Sequence, residues 1–140
     1  MADFQMNEKC SAGTGKFLEI MAAALGYPID GFGRAALKGD RGLKISSMCT
    51  VFAESEAVSL LHRGVPREDI AMALHAAVAG RAAGLLHRVG FKPPLVFSGG
   101  VARNRCLVQL LEEKMGCRVL VAPDPQVLGA VGAALHGWQK

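Results

Sequence analysis

The stretch Leu95-Val96-Phe97-Ser98-Gly99-Gly100-Val101-Ala102-Arg103-Asn104 runs from a short apolar segment into a glycine pair and then into a helical pattern. Leu95 to Ser98 reads as a strand buried on both faces, and the glycine pair as the turn that ends it. A helix is predicted over about Arg103 to Lys114, stopped by Gly116, and Arg118-Val119-Leu120-Val121 reads as a second buried strand. Strand, helix, strand in this order predicts a parallel sheet and an α/β fold. Open α/β sheets place ligands outside the carboxyl ends of their strands, where Gly99 and Gly100 fall. Two glycines there either let a planar group approach the backbone or simply adopt the positive φ of a tight turn.

Working outward, Asp3 to Glu8 alternates polar and apolar residues through Phe4 and Met6, which predicts a short strand broken by Lys9 to Gly13. From Thr14 the pattern turns helical, with Phe17, Leu18, Met21, Ala22 and Leu25 on one stripe and Gly26 as the stop. Pro28 to Gly42 holds four glycines and reads as connecting structure with at most a short helix near Arg34 to Lys38. Thr50 to His62 predicts a helix that puts Cys49 at its N-terminus, and Pro66 opens a longer one over about Arg67 to Val89, ended by Gly90. The last helix is predicted over about Gln126 to Trp138, after Pro123-Asp124-Pro125. Its small residues Gly129, Ala130, Gly132, Ala133 and Ala134 suit a close approach to a sheet or a ligand. Three short strands against about five helices is a lean ratio, as if strands were supplied elsewhere.

Length and composition narrow the classes. At 140 residues the chain suffices for one domain, and 51% hydrophobic residues with one Trp and one Tyr place the core on Ala, Leu, Val, Met and six Phe. No uninterrupted apolar run reaches the 18 or so residues of a membrane span, and Met1 to Gln5 lacks a basic region followed by an apolar core. The expectation is a soluble, cytoplasmic protein without a membrane partner. Four cysteines in a chain of this size fit a reducing compartment, where thiols serve as ligands, nucleophiles or core residues. The net charge of +4 comes from 16 scattered Lys and Arg, without the clustered basic face and interleaved aromatics of a nucleic-acid surface.

Two motifs carry chemistry beside the glycine pair. Gly13-Thr14-Gly15-Lys16 at the mouth of a helix offers free backbone N–H groups, a partial positive dipole, a hydroxyl and an ammonium to a phosphate. It is not a Walker loop, which needs a longer glycine spacing and Ser or Thr after the Lys, and an ordinary strand-to-helix turn has the same composition. Cys10 and Cys49, 39 positions apart, each stand beside a motif, glycine-rich at Cys10 and acid-rich at Cys49.

Taken together, Cys10 to Glu19, Cys49-Thr50-Val51-Phe52-Ala53-Glu54-Ser55-Glu56, Gly99 to Asn104, and Pro123-Asp124-Pro125-Gln126 with Gly129-Ala130 resemble, in order and spacing, a known family. It is that of the activator ATPases of 2-hydroxyacyl-CoA dehydratases and the ATPase subunits of benzoyl-CoA reductases (BadF/BadG/BcrA/BcrD type), and the likeness covers essentially the whole chain. It implies an actin, hexokinase and Hsp70-like (ribonuclease H-like) ATPase fold, helix-rich, with a small, mostly parallel sheet. It further implies a homodimer sharing one [4Fe-4S] cluster, ligated here by Cys10 and Cys49 of each subunit. The same four sulfurs also suit zinc. By the same likeness ATP or ADP with Mg2+ would contact Gly13, Thr14, Gly15 and Lys16 through its phosphates. Gly99, Gly100, Val101 and Gln126 would meet the adenosine end, and Glu19 the ribose or magnesium-linked groups. The partner implied is an acyl-CoA dehydratase or reductase that accepts an electron.

Cys106 and Cys117 match no ligand position of the family and read as structural, and Glu54 and Glu56 read as acids of a helix N-terminus. Because activators of this type carry a preceding domain with the first phosphate loop, the chain corresponds to the C-terminal half, one domain over residues 1–140. It is expected to lack a closed catalytic cleft and the sheet's first strands, and to expose a sheet edge. A non-catalytic dimerisation module of the same fold and a sugar- or acid-kinase relative remain the alternative readings.

Overall fold

The structure, a computed structural model, describes residues 3–6, 13–45 and 50–139. Six helices and one 3-10 turn surround a two-stranded sheet. In order these are α1 (Thr14–Ala24), α2 (Ile29–Ala36), α3 (Thr50–His62), α4 (Arg67–Arg88), β1 (Leu95–Phe97), the 3-10 turn Gly100–Arg103, α5 (Arg105–Met115), β2 (Val119–Val121) and α6 (Leu128–Trp138). The strands pair in parallel with Leu95 opposite Val119, Val96 opposite Leu120 and Phe97 opposite Val121, so β1, α5 and β2 form a crossover unit.

Helix α4 organises the core. It packs against α2 and α5 most extensively, and also against α3 and α1. Its residues Ile70 to His75 are buried in succession, together with Ala79 and Ala83. By length and apolar composition α4 alone among the described residues is able to cross a membrane, yet here it is the core helix on which the others lean. Leu18, Met21 and Leu25 of the α1 stripe, Phe32 and Ala36 of α2, and Leu107, Leu110 and Leu111 of α5 complete one contiguous apolar cluster. Polar ties hold the ends of these helices. The Tyr27 hydroxyl donates to Glu68 at 2.7 Å, with the Arg67 guanidinium 5.1 Å from the Tyr27 ring centre, and Arg41 makes a bidentate pair with Glu113 at 2.7 and 3.1 Å.

Several expectations need correction. Residues 3–6 form no strand, and Phe4 and Met6 are exposed; residues 7–8 lie outside the described set. A strand needs a ladder partner, and none is present among the described residues, which hold two strands rather than three. For the same reason β1 and β2 are not buried on both faces. Leu95 and Val119 face the core while the cross-strand pair Val96 and Leu120 is exposed. The helix expected near Arg34 to Lys38 begins at Ile29 instead, because Pro28 presets the extended entry and two glycines fail to break the turn. The helix expected from Arg103 is split: Arg103 ends the 3-10 turn and Asn104, in an extended conformation, caps α5 by accepting from Leu107 N. Helix α6 starts at Leu128 rather than Gln126, and none of its residues is buried against the described part of the fold. The stops at Gly26, Gly64, Gly90 and Gly116 carry the positive φ expected of them.

Gly33 shows how closely α2 meets α5. A Cβ built there would lie 2.5 Å from Asn104 Oδ1, and the Asn104 side chain is already held by two hydrogen bonds. Alanine is worth about 1 kcal/mol over glycine inside a helix, but displacing the carboxamide costs more. Gly33→Ala is therefore expected to destabilise the fold by a net ~1–2 kcal/mol, read as a lower urea midpoint at unchanged slope.

Candidate functional site

Beyond the carboxyl end of β1 the chain makes the turn that the glycine pair predicts. Gly99 takes φ +90°, closed to other residues without strain, and its N–H donates to Pro125 O at 2.7 Å. Arg103 pairs with Asp124 at 3.1 Å. These two bonds bring the segment after β2 alongside the 3-10 turn and set Gln126 next to Gly100.

The turn forms one wall of a cleft of about 680 Å³, a volume in the range of small-molecule and cofactor sites. Gly100, Val101, Asn104 and Gln126 stand on this side. Gly15, Leu18 and Glu19 of α1 form a second side, and Ile29, Asp30, Gly33 and Arg34 of α2 a third. Arg103 and Arg105 add positive charge at the rim. The donor set is backbone N–H groups, guanidinium groups and a carboxamide, suited to a ligand with anionic and planar parts.

Of the residues singled out from sequence, Gly15, Glu19, Gly100, Val101 and Gln126 meet in this one cleft. Gly99 shapes the turn from behind. Gly13, Thr14 and Lys16 occupy the start of α1, where Gly13 provides no side-chain cap and the helix dipole is open to an anion. Lys16 Nζ is 2.9 Å from Glu19 Oε2, a pair exposed at 58% and 52%. Such a pair contributes at most about 1 kcal/mol, so the ammonium exchanges Glu19 for a better anion at little cost.

Cys10 and Cys49 lie outside the described residues. Among the described residues no group of three or more His, Cys, Asp and Glu side chains is placed to hold a metal ion. Cys106 is buried in the core as expected, and burial pushes its thiol up to about 11, with the nearby Arg41 charge opposing; the group stays an inert thiol at neutral pH. Cys117 is half-buried and packs on the core cluster.

Sequence reasoning missed the α2 wall and the histidine behind the cleft. His75 is fully buried in α4, with its ring centre 4.7 Å from that of Phe32. Its Nδ1 is 2.7 Å from Ala71 O, so Nδ1 carries the proton and donates, while Nε2 accepts from Asn104 Nδ2 at 2.9 Å. A histidine four residues after Ala71 in an apolar stripe gives no hint of this bond, because its partner is 29 residues away. Burial, opposed by the bond to Ala71, lowers its pKa from 6.5 to about 4, so the imidazole is neutral at physiological pH.

The sequence and fold have counterparts among known proteins. The profile of the BadF/BadG/BcrA/BcrD ATPase family matches residues 1–137. The chain is 44% identical over 140 residues to the (R)-2-hydroxyglutaryl-CoA dehydratase activating ATPase of Acidaminococcus fermentans, covering 100% of this chain and 54% of that protein. It is 45% identical over 136 residues to the activator of lactoyl-CoA dehydratase of Anaerotignum propionicum, covering 97% and 52%. The solved activator of the 2-hydroxyisocaproyl-CoA dehydratase from Clostridium difficile, with bound ADPNP, superposes with a TM-score of 0.91 at 39% identity, covering 98% of this chain and 51% of that one. The architecture is thus the actin-like ATPase fold of these activators. The chain spans about half the length of the curated relatives it matches.

The buried neutral His75 predicts an acid-sensitive fold. The unfolded state takes up the imidazole proton below about 6.5 and the folded state only near 4, so stability is unaffected above pH 6.5 and falls as pH drops toward 4. The total loss is on the order of 3 kcal/mol. Denaturant midpoints of the wild type and His75→Gln, compared from pH 7.5 to 4, are expected to keep a constant difference above pH 6.5, and the wild type to fall relative to the variant below it.

Proposed function

Since the chain belongs to the BadF/BadG/BcrA/BcrD ATPase family, we propose that it is the adenine-nucleotide-binding domain of an activator that spends ATP to deliver an electron to an acyl-CoA dehydratase or reductase. The observation that carries this reading is the cleft. Five residues assigned to the nucleotide from sequence, drawn from three separated segments, line the same 680 Å³ space.

Each part of the cleft has a task in that reading. The uncapped start of α1, Gly13 to Lys16, holds the phosphates through N–H groups and the Lys16 ammonium. Gly100 offers open backbone and Val101 an apolar surface to the adenosine end, and Gln126 closes over it from the turn anchored by Gly99 and Arg103. Glu19, once released by Lys16, is available to the ribose or to magnesium-bound water. In this reading the described cleft forms one side of the site, and its hydrolytic half is supplied by a second domain.

The electron-transfer part rests on Cys10 and Cys49, the thiols that the family likeness assigns to a [4Fe-4S] cluster shared by two subunits. When bound, such a cluster supplies one low-potential electron at a time. In the sequence Cys10 stands four residues before α1 and Cys49 one before α3. A change of the γ-phosphate at the α1 end would reach the dimer through the same helices.

Two measurements test this function. ADP with Mg2+ is expected to bind weakly, with a Kd on the order of 0.1–1 mM, and to shift the amide resonances of Gly15, Gly100, Val101 and Gln126. Saturable shifts confined to another surface, or none, would remove the cleft assignment, and steady ATP turnover would remove the one-sided site. Anaerobic reconstitution with iron and sulfide is expected to yield one cubane per two chains, lost in Cys10→Ser and in Cys49→Ser. Iron uptake surviving both substitutions would end the cluster assignment.

A further inference from the structure

We propose that His75 is a positioning residue of the cleft: by accepting the amide hydrogen of Asn104 it fixes the junction between the Gly100–Arg103 turn and α5, and with it the wall that meets the ligand. The inference rests on the cleft being the nucleotide site, and its structural half is testable without nucleotide.

The hydrogen bonds run in one direction. Ala71 O accepts from His75 Nδ1, His75 Nε2 accepts from Asn104 Nδ2, and Asn104 Oδ1 accepts from Leu107 N at 3.2 Å. Each fixes the next. The Ala71 carbonyl sets the tautomer, the tautomer makes Nε2 an acceptor, and that orients the carboxamide with its oxygen toward α5. Meanwhile Asn104 N donates to Val101 O at 2.9 Å and closes the 3-10 turn. One residue thus ends the turn, starts α5 and lines the cleft, and His75 is the group that holds its side chain from behind.

A purely structural role is met as well or better by an apolar residue at position 75. Histidine in so apolar a place costs desolvation and gains only what its two bonds return. The gain goes to a cleft residue. Phe32 packs on the imidazole, and at Gly33, the next position of α2, a Cβ would lie 2.5 Å from Asn104 Oδ1, so α2 lies close against the pair from the third side of the cleft. Leucine at position 75 keeps the volume but leaves Asn104 Nδ2 facing an apolar wall, whereas glutamine keeps an acceptor there.

The test compares His75→Leu, His75→Gln and the core truncation Met72→Ala in the full chain, by amide hydrogen exchange and by ADP titration. In His75→Leu, exchange at Ala102, Asn104 and Leu107 is expected to accelerate about tenfold beyond the change in global stability, and ADP to bind about tenfold more weakly. Met72→Ala is expected to lose stability without that local excess, and His75→Gln to restore both readouts to within about threefold. If His75→Leu does not fold, Asn104→Ser, which keeps a cap acceptor for Leu107 but is too short to reach Nε2, is expected to give the same local acceleration. Local exchange in His75→Leu or Asn104→Ser no faster than in Met72→Ala would overturn the inference, as would failure of glutamine to rescue. If the wild type shows no ADP shift in the cleft, the nucleotide reading falls and the exchange data alone decide the positioning.

Discussion

The packing of α4 between α2 and α5 is the constraint on which the described structure depends, because the contiguous core has no other long helix through it. Ile70 to Leu74 supply the apolar contacts, and His75, the one buried polar side chain among the described residues, reaches Asn104 at the start of α5 and packs on Phe32 of α2. Burying those side chains stabilises the fold by roughly 1.5–3 kcal/mol for each large residue. The closeness also dictates glycine at position 33 and a capping asparagine at 104. The cleft is the outer surface of this contact. Its turn, its α2 wall and its α1 wall are each fixed by residues whose other face is in the core.

This arrangement explains why a two-stranded sheet suffices to place a ligand site. Three parallel residue pairs stabilise little by themselves. What positions the Gly99 turn is the bond to Pro125, the Arg103 pair with Asp124 and the Asn104 junction, all outside the sheet. The apolar residues that the sheet leaves exposed, Val96, Leu120 and Val121, and the uncovered helix α6 with Trp138 at 92% exposure, play no part in holding the cleft.

Much of the fold was legible in local pattern. The stripes of α1, α3 and α4, the positive-φ glycines that end them and the parallel strand pair follow from periodicity and turn chemistry. The errors fell where a residue's conformation answers to a distant partner. Asn104 splits a helix that looks continuous because its side chain is shared between Leu107 and His75, and α2 survives two glycines because one of them meets Asn104. Of the cleft lining, Gly15 and Gly100 stood out from motif and Glu19 and Gln126 from the family likeness, while Arg34 and Asp30, and His75 behind them, carried no sequence signal.

The sequence by itself determined the family, the α/β class and the glycine motifs that line the cleft, since these lie in short contiguous segments whose turn chemistry is local. Only the tertiary structure decided that three of those segments converge on one cleft, that α2 forms its third side, and that a buried histidine holds its wall. Convergence depends on packing between residues tens of positions apart, and a hydrogen bond from position 104 to position 75 leaves no trace in the spacing of either.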